Sequence, residues 1–546
     1  MCLVLVGNFQ DDRKSGSGTF TYNGGTYVGE WSMDQQHGIG TQSYRNGDVY
    51  TGEYEHGKIT GTGKKSFKDG TIYEGSFLAG SYSGKGKLVL ANGNSFTGDF
   101  VAGKKEGMGC LISENGSSYD GQFVNDAKSG QGIMTYPDES IYNGSWLNDM
   151  RQGFGTITSA NGDIFEGKFV EDMKSGHGKM SNPNTTEFFD GEFSKDKRHG
   201  HGKCEYKDGT HYVGSWQFGM RGGQGDTHYG GGATYSGQYM NDKMNGRGTF
   251  TDTDGSRYEG KFVDNLKQGR GTYVYADQAK YEGEFFAGKR HGHGKFISST
   301  DDGEVYEGMY AFDQKSGIGK CTQNGCTYKG EWLENERSGK GKESYPNGDS
   351  FTGLYQNNCK NGQGKFIYEK DKASYEGDFV DDCQTGKGIF ICEDFKYVGN
   401  WINGSKEGNG RLEYANGEVY EGEFQDSKPH GKGKLLYTNG GEYVGEFVTG
   451  QRNGNGTVIT NTSVLVGEWL DGRLYGDAKL THTEGDVYEG TFNKAEEKHG
   501  KGTLVYADGS KYEGRFESNQ RHGMGKHTYA NGSVYEGDYA NDSMHG

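Results

Sequence analysis

The stretch YEGEFQDSKPHGKGKLLY, residues 420–437, decides the fold of this chain. Side chains alternate between the two sides of a β-strand, so Tyr420, Gly422 and Phe424 share one side and the two glutamates between them share the other. The Gly-Lys-Gly-Lys-Leu run that starts at Gly431 alternates in the same way. The stretch therefore predicts a β-hairpin with rings and glycines on one side and charged residues on the other.

The same pattern recurs along the whole sequence at a mean interval of about 23 residues. Aromatic-x-Gly-x-aromatic motifs begin from Tyr27 to Tyr535, and Leu5 and Leu465 begin two variants, which makes 24 units. All 6 tryptophans occupy the fifth position of the motif. The predicted fold is all-β: an elongated, single-layer antiparallel β-hairpin solenoid, or meander, of about 24 repeats of about 23 residues.

The repeats predict one domain, a continuous array over residues 1–546 with incomplete first and last repeats. The array opens inside a unit at Leu3 and stops at Gly546 without a capping element. Because bare sheet edges pair readily with other strands, we expect the full protein to continue past residue 546, or an end to pair with another chain.

The strand pattern also predicts registers and turns. Paired residues must point to the same side of a sheet, so Phe424 is predicted to face Gly431, and the same offset places Glu331 opposite Lys340. Between units, a type I turn with Gly47 in a left-handed bulge keeps the alternation in phase. The glycines beside the rings are expected to let the rings lie over the backbone, because glycine has no Cβ.

Composition excludes several classes of protein. The chain has 76 acidic and 59 basic residues, a net charge of −17, which disfavours nucleic-acid binding and weakens binding to anionic membranes. It contains neither a signal peptide nor an apolar run long enough to span a bilayer. Its 8 cysteines form no Cys-x-x-Cys pair, which predicts reduced thiols in the cytoplasm.

Motifs with chemical meaning have simpler structural explanations. Gly-x-Gly segments such as Gly223–Gly225 lack the following helix that a phosphate loop needs. His199–His201 and His291–His293 lie four units apart and cannot share a zinc ion. Asp252–Gly255 lacks the later glutamate of a calcium loop. We therefore predict no catalytic residue, no metal and no cofactor, and no enzyme activity within this chain.

Tyr420–Phe424 followed by His430–Gly433 resembles a MORN repeat, the "membrane occupation and recognition nexus" family, and the resemblance covers essentially the whole chain. MORN-only chains are implied in cytoskeletal and ciliary assemblies, including radial-spoke-like parts. The resemblance therefore implies a structural scaffold in the cytoplasm, at the cytoskeleton and the axoneme of a cilium or flagellum. A net acidic charge argues against the membrane role that the family name records.

The predicted function is to bind and position protein partners. A single-layer sheet has nothing to cover its aromatic side, so we expect an aromatic groove that takes a helix or an extended segment of a partner. The groove residues predicted are Trp31, Trp146, Trp216, Tyr239, Tyr310, Trp332, Trp401 and Trp469. The alternatives are a peripheral membrane or phosphoinositide tether, and the targeting arm of an enzyme domain beyond residue 546.

Overall fold

The computed structural model describes residues 4–301 and 303–545, and every regular element within them is a β-strand. The predicted all-β class is confirmed, and so is the hairpin repeat. The two ends of the predicted array, Leu3 and Gly546, lie outside the described residues. The chain divides into two compact units, Met1–Ala276 and Asp277–Gly546, each of which contains 24 strands.

The strands of the first unit are β1 Val4–Gln10, β2 Arg13–Tyr22, β3 Gly25–Ser32, β4 Gln35–Ser43, β5 Val49–Glu55, β6 Lys58–Ser66, β7 Ile72–Leu78, β8 Ser81–Val89, β9 Ser95–Val101, β10 Lys104–Ile112, β11 Ser118–Val124, β12 Ala127–Thr135, β13 Ile141–Leu147, β14 Met150–Thr158, β15 Ile164–Val170, β16 Met173–Ser181, β17 Phe188–Ser194, β18 Lys197–Glu205, β19 His211–Gln217, β20 Met220–His228, β21 Thr234–Met240, β22 Lys243–Thr251, β23 Arg257–Val263 and β24 Leu266–Val274.

The strands of the second unit are β25 Lys280–Phe286, β26 Lys289–Ile297, β27 Val305–Ala311, β28 Gln314–Gln323, β29 Cys326–Leu333, β30 Glu336–Ser344, β31 Ser350–Gln356, β32 Cys359–Tyr368, β33 Ala373–Val380, β34 Cys383–Ile391, β35 Phe395–Ile402, β36 Ser405–Tyr414, β37 Val419–Gln425, β38 Lys428–Leu436, β39 Glu442–Val448, β40 Gln451–Ile459, β41 Ser463–Leu470, β42 Arg473–His482, β43 Val487–Phe492, β44 Lys498–Val505, β45 Lys511–Glu517, β46 Gln520–Thr528, β47 Val534–Ala540 and β48 Ser543–His545.

Within each unit, every strand pairs antiparallel with the next strand along the chain. A short strand with the aromatic-x-Gly-x-aromatic motif and a longer strand with Gly-x-Gly form one hairpin, and successive hairpins pair side by side. Each unit is thus a β-meander, whose pairs are all local in sequence. Such local pairing follows directly from a short repeat in which each hairpin buries its apolar side only against its neighbours.

The turns between hairpins have the predicted bulged form. Gly47 has φ +96°, and its N–H donates to the carbonyl oxygen of Tyr44 at 2.9 Å. The N–H of Tyr44 in turn donates to the carbonyl oxygen of Asp48 at 2.8 Å. This type I turn with a left-handed glycine confirms the prediction for Gly47.

The register inside a hairpin differs from the prediction near the turn. Gly422 faces Gly433, which agrees with the predicted offset, but Phe424 faces Pro429 and not Gly431. Between these two pairs the first strand has one residue and the second strand has three, so the second strand bulges. The predicted pairing of Phe424 with Gly431 is therefore wrong.

The bulge has a cause in the turn that joins the two strands. Asp426 and Ser427 form a two-residue turn with φ values of 48° and 67°. Both residues are in the left-handed region, as a type I′ turn requires, and such a turn closes a hairpin tightly. The two extra residues of the second strand are then taken up beyond the turn, where Gly431 also has a positive φ, of 62°.

The same bulge changes the predicted charge pair. Glu331 faces Ser338 and not Lys340, so that prediction is wrong, and the Glu331 carboxylate accepts the backbone N–H of Lys340 at 3.1 Å. Ion pairs between strands occur elsewhere, as between Lys479 and Glu489 of adjacent hairpins at 2.7 Å. They lie on the side of the sheet opposite to the rings.

The core lies on one side of the sheet, which we call the ring face; the opposite side is the charged face. The Tyr27 ring is fully buried and packs edge-on against Trp31 of its own strand at 5.0 Å and Tyr54 of the next hairpin at 5.2 Å. A Cβ added at Gly40 would stand 2.5 Å from Tyr27 Cζ. The prediction that rings lie over glycine backbone is thus confirmed, and this contact repeats from hairpin to hairpin.

Candidate partner-binding surfaces

The eight predicted groove residues belong to the core of the ring face. Their side chains are between 2% and 8% exposed, with Trp216 and Trp469 at the lower end and Trp31 at the upper end. Each ring packs edge-on against first-position rings, as Trp216 does against Phe189 and Tyr212, both at 5.3 Å. The eight residues are Trp31, Trp146, Trp216, Tyr239, Tyr310, Trp332, Trp401 and Trp469. Their contact with a partner stays a prediction.

Basic side chains of the ring face cover seven of these eight rings. Lys128 Nζ lies 4.9 Å from the centroid of the Trp146 ring, and Arg198 Cζ lies 5.0 Å from that of Trp216. Burial lowers the pKa of Lys128. Six consecutive hairpins of the first unit carry such a residue: Lys105, Lys128, Arg151, Lys174, Arg198 and Arg221. A cation over a ring contributes about 0.5–2 kcal/mol.

Sequence analysis missed these covering cations. The available signal was a basic residue at one fixed position, the second residue after the hairpin turn. It gave no hint of the ring beneath, because Trp146 belongs to the hairpin that follows Lys128. The cations thus provide the cover that the sequence analysis expected a partner to supply.

The turn of the following hairpin holds two of these guanidinium groups, those of Arg151 and Arg221, in place. Asp172 Oδ1 accepts the backbone N–H of Arg151 at 2.8 Å and its Nε–H at 3.2 Å, and the Asp172 carbonyl oxygen accepts Nη2–H at 2.6 Å. Arg221 makes the same three bonds with Asp242 at 2.8, 3.3 and 2.9 Å. The guanidinium groups are therefore fixed and partly neutralised, and the ring face is closed over its aromatic rows at these hairpins.

A carboxylate is buried in the ring face at the centre of a polar network. Glu343, which is 8% exposed, forms an ion pair with Arg337 Nη1 at 2.5 Å and accepts the Tyr355 hydroxyl at 3.1 Å. The Tyr345 hydroxyl donates to the same oxygen, Oε2, whereas Arg337 pairs with Oε1. Burial, followed by the nearby Glu343 charge, raises the pKa of Tyr355. Each polar atom of this network has a partner, so the network stabilises the fold and leaves no group available for chemistry.

An open trough lies on the charged face of the second unit. Its volume is about 1040 Å³, and its floor is the backbone of Gly490, Gly502 and Gly514. Its walls include Lys479, Glu489, Thr491, Lys501, Arg515 and Met524. A smaller trough of about 480 Å³ on the charged face of the first unit has a floor of Gly86, Gly98 and Gly109.

The troughs follow from the alternation of side chains along the strands. A Cβ added at these glycines would point toward the rings, so the charged face is bare backbone at the same positions, and the side chains before and after each glycine form the walls. Sequence analysis considered the ring face alone and so missed the trough. Its floor is backbone, so no residue type in the sequence marked it.

Other chemistry considered in the sequence has structural explanations. Asp252–Gly255 is a turn, in which the Gly255 N–H donates to the Asp252 carbonyl oxygen at 3.1 Å. Over residues 4–301 and 303–545, no group of three or more His, Cys, Asp or Glu side chains is arranged to hold a metal ion. That part of the chain also contains no helix long and apolar enough to cross a membrane.

Comparison with known families agrees with the hairpin geometry. The family model described as "MORN repeat" matches 21 segments, which cover residues 6–186, 189–302, 306–350, 375–395, 397–459 and 488–534. The chain belongs to the MORN-repeat family. The units that begin at Phe351, Leu465 and Tyr535 are not matched by the model. The Leu465 unit lacks an aromatic first residue and has Ala478 in place of the second glycine of Gly-x-Gly.

Similarity of this MORN-repeat chain to individual proteins is limited in extent. Alsin from Mus musculus is 30% identical over 102 residues, which are 19% of this chain and 5% of alsin. Human alsin is 32% identical over 102 residues, with the same coverage. The match thus spans a small fraction of the alsin sequence.

Solved structures with a related pattern are more distant. The TCP10 domain of Danio rerio CPAP in complex with a peptide of STIL is 14% identical, with a TM-score of 0.19; the match covers 48% of this chain and 98% of that domain. The TCP domain of Drosophila melanogaster SAS-4 with a proline-rich motif of Ana2 is 16% identical, with a TM-score of 0.19, over 27% of this chain and 80% of that one.

Proposed function

We propose that this MORN-repeat chain is a non-enzymatic structural scaffold, and that the trough on the charged face of its second unit binds a helix or an extended segment of a partner protein. The observation that carries the proposal is the trough itself, about 1040 Å³ in volume and open to solvent. On the ring face, by contrast, cations lie over the rings of many hairpins, as Arg198 does over Trp216.

The floor of the trough favours a polypeptide as the occupant. Gly490, Gly502 and Gly514 lie on successive strands and place bare backbone at the bottom of the trough. Any side chain at these positions would point toward the rings, so on the charged face a partner segment can approach the backbone. A partner segment laid across the hairpins would therefore contact backbone at its centre and side chains at its edges.

The walls of the trough favour a protein over a polyanion. Lys501 and Arg515 are exposed, but Lys479 is already paired with Glu489 at 2.7 Å, and Asp477 adds a further acidic group. Nucleic acids and anionic membranes are bound by an excess of positive charge. The walls carry both positive and negative charges, and Met524 adds an apolar contact. Such walls suit a partner segment that itself carries charges of both signs.

The cellular setting of the scaffold is proposed from the family resemblance. MORN-only chains are implied in cytoskeletal and ciliary assemblies, so we place this chain in the cytoplasm at the cytoskeleton, in the axoneme of a cilium or flagellum. The alternative is a peripheral membrane or phosphoinositide tether. A second alternative is the targeting arm of an enzyme domain beyond residue 546.

Proximity labelling in ciliated cells tests this proposal. The full chain is compared with the double variant Lys501→Glu, Arg515→Glu, which changes the charge of the trough walls. The matched control is Lys432→Glu, because Lys432 occupies the same repeat position as Lys501 but lies outside the trough. Far-UV circular dichroism of all three proteins checks that the sheet is intact.

We expect the full chain and the control to label the same axonemal or cytoskeletal proteins, and the trough variant to lose them at least tenfold. Equal labelling by all three proteins would show that the trough is not the binding surface. Flotation with phosphatidylcholine vesicles that contain phosphoinositide tests the alternative function, a membrane tether. If the full chain binds these vesicles and the trough variant does not, the ligand of the trough is a lipid and not a protein.

A further inference from the structure

The heptapeptide Lys-Arg-His-Gly-His-Gly-Lys occurs twice, at residues 197–203 and 289–295, once in each unit. In both copies it forms the second strand of a hairpin, and the turn of the following hairpin begins with a phenylalanine, Phe218 or Phe312. The arginine and the two glycines of the heptapeptide are ordinary repeat positions, but the repeat does not require a phenylalanine in the following turn, where Asn148 and Asn241 stand in other hairpins. In each unit, the histidine of the heptapeptide and the phenylalanine of the following turn form one surface patch.

The two phenylalanines occupy an unfavourable backbone conformation. Phe218 has φ 52° and Phe312 has φ 49°, in the left-handed region that bulky side chains avoid. Asn148 and Asn241 hold the same turn position in other hairpins, each with φ 50°, and asparagine tolerates it well. Local strain of this kind is found most often where a residue has a function.

The two phenylalanines are also exposed. Phe218 is 70% exposed and Phe312 is 53% exposed, so the ordinary reason for an aromatic residue, burial, does not apply. Each ring lies near the first histidine of its own heptapeptide: the ring centroids of Phe218 and His199 are 6.1 Å apart, and those of Phe312 and His291 are 5.0 Å apart. In the second unit Phe286, 49% exposed, lies 5.6 Å from His291 and enlarges the patch.

The charged groups around each patch indicate the chemistry of its ligand. Lys197 and Lys289, the first residues of the two heptapeptides, are exposed and precede the histidine of each patch by two residues. The arginines that follow are engaged: Arg198 stacks on Trp216, and Arg290 Nε lies 3.4 Å from Asp313 Oδ1. Each patch thus combines an exposed ring, an imidazole and exposed lysine charge.

We propose that the two patches are equivalent docking sites for an acidic protein segment that carries an apolar side chain. The apolar side chain would pack on the phenylalanine and histidine rings, and the acidic groups would pair with lysine. An anionic membrane is disfavoured, because it needs several free cations and each patch has one exposed lysine, its arginine being neutralised or held over a ring; one lysine is enough to pair with a single acidic side chain. Two identical sites in one chain make the scaffold bivalent for this ligand.

The test uses the full chain and a defined probe. Phage-displayed random dodecapeptides are selected on it, and the consensus peptide is synthesised and titrated by isothermal calorimetry. The variants are Phe218→Asn, Phe312→Asn and the two combined. The matched control is Thr449→Asn, because Thr449 holds the same turn position after the His430 hairpin, with φ 49°.

We expect a consensus of Asp or Glu flanking an apolar residue, and two peptides bound per full chain and per Thr449→Asn chain. Each single variant should bind one peptide and the double variant none, with melting temperatures equal to or above that of the full chain, because asparagine relieves the turn. Two sites retained in the double variant, or a consensus without acidic residues, would overturn the proposal. The full chain and the double variant are also tested for binding to anionic vesicles. If the full chain binds vesicles but no peptide, and the double variant loses vesicle binding, the ligand is a lipid and the proposal is overturned.

Discussion

The ring of Phe189 lies directly over Gly202, so that a Cβ added at Gly202 would stand 2.6 Å from Phe189 Cζ. Gly202 and its partner Gly191 face each other across the hairpin β17–β18, and the ring closes over both. The absence of two side chains thus makes room for one buried ring. This contact between a first-position ring and a glycine pair is the structural unit that the sequence repeats.

Replacing Gly202 with alanine should therefore destabilise its hairpin by about 1–3 kcal/mol, the range for overpacking a well-packed site. Hydrogen exchange of β17 and β18 would report the loss locally, since repeats unfold with only their neighbours. Gly231→Ala is the matched control, because a Cβ there meets no atom within 4 Å and its φ is not positive. Equal protection in both variants would show that the ring does not need the glycine.

Trp216 separates the core role of the fifth-position rings from a binding role. Because it is 2% exposed, we expect Trp216→Ala to cost about 3–5 kcal/mol of stability. Urea unfolding followed by far-UV circular dichroism measures this loss. The comparison is Phe154→Ala, whose ring is 72% exposed, and which should change stability by at most about 0.5 kcal/mol. A stable Trp216→Ala chain that lost only partner binding would support the predicted aromatic groove.

The features that sequence reasoning captured are local ones. Alternation with a period of two identified the strands, and an Asn-Gly pair in phase with it identified the bulged turn at Gly47, because glycine is the residue that tolerates φ near +96°. Ring-over-glycine packing followed because Tyr27 and Gly29 share one strand and one face.

The features that sequence reasoning missed depend on neighbouring hairpins. The two-residue turn at Asp426 and Ser427 contains no glycine, so nothing marked it as left-handed, and the register near it was predicted wrongly. The Lys128 cation covers Trp146 of the next hairpin, a relation that appears only once the strands are paired. The trough is floored by backbone and therefore has no side-chain signature of its own.

The carboxylate of Asp242 should contribute to the coupling between adjacent hairpins. It accepts the backbone N–H of Arg221 at 2.8 Å from the turn of the next hairpin. We expect Asp242→Ala to cost about 1–2 kcal/mol, because an amide loses its partner and alanine fits the left-handed turn poorly. Denaturant midpoints measure the effect. Asp242→Asn should cost less, because Asn358 accepts both the backbone N–H of Arg337 at 2.9 Å and its Nη2–H at 2.6 Å; an equal loss in both variants would contradict this role.

Alkaline pH should destabilise the whole array through its first-position tyrosines. Burial raises the pKa of Tyr27 and of Tyr73 to about 12. The same cause raises the pKa to about 12 at Tyr119, Tyr142, Tyr212, Tyr258, Tyr328, Tyr397, Tyr443 and Tyr512. In the unfolded chain these phenols ionise near pH 10.

Between pH 10 and 12 the unfolded chain therefore binds fewer protons than the folded chain, so the free energy of unfolding falls as pH rises, while below pH 10 it is unaffected by these groups. Urea midpoints at pH 9 and pH 11, with tyrosinate absorbance at 295 nm, measure the change. The variant Tyr27→Phe, Tyr73→Phe should show a shallower decline, and it should fold because Phe96 and Phe165 occupy the same repeat position in other hairpins. Full ionisation near pH 10 with a native circular dichroism spectrum would show that these rings are not held away from water.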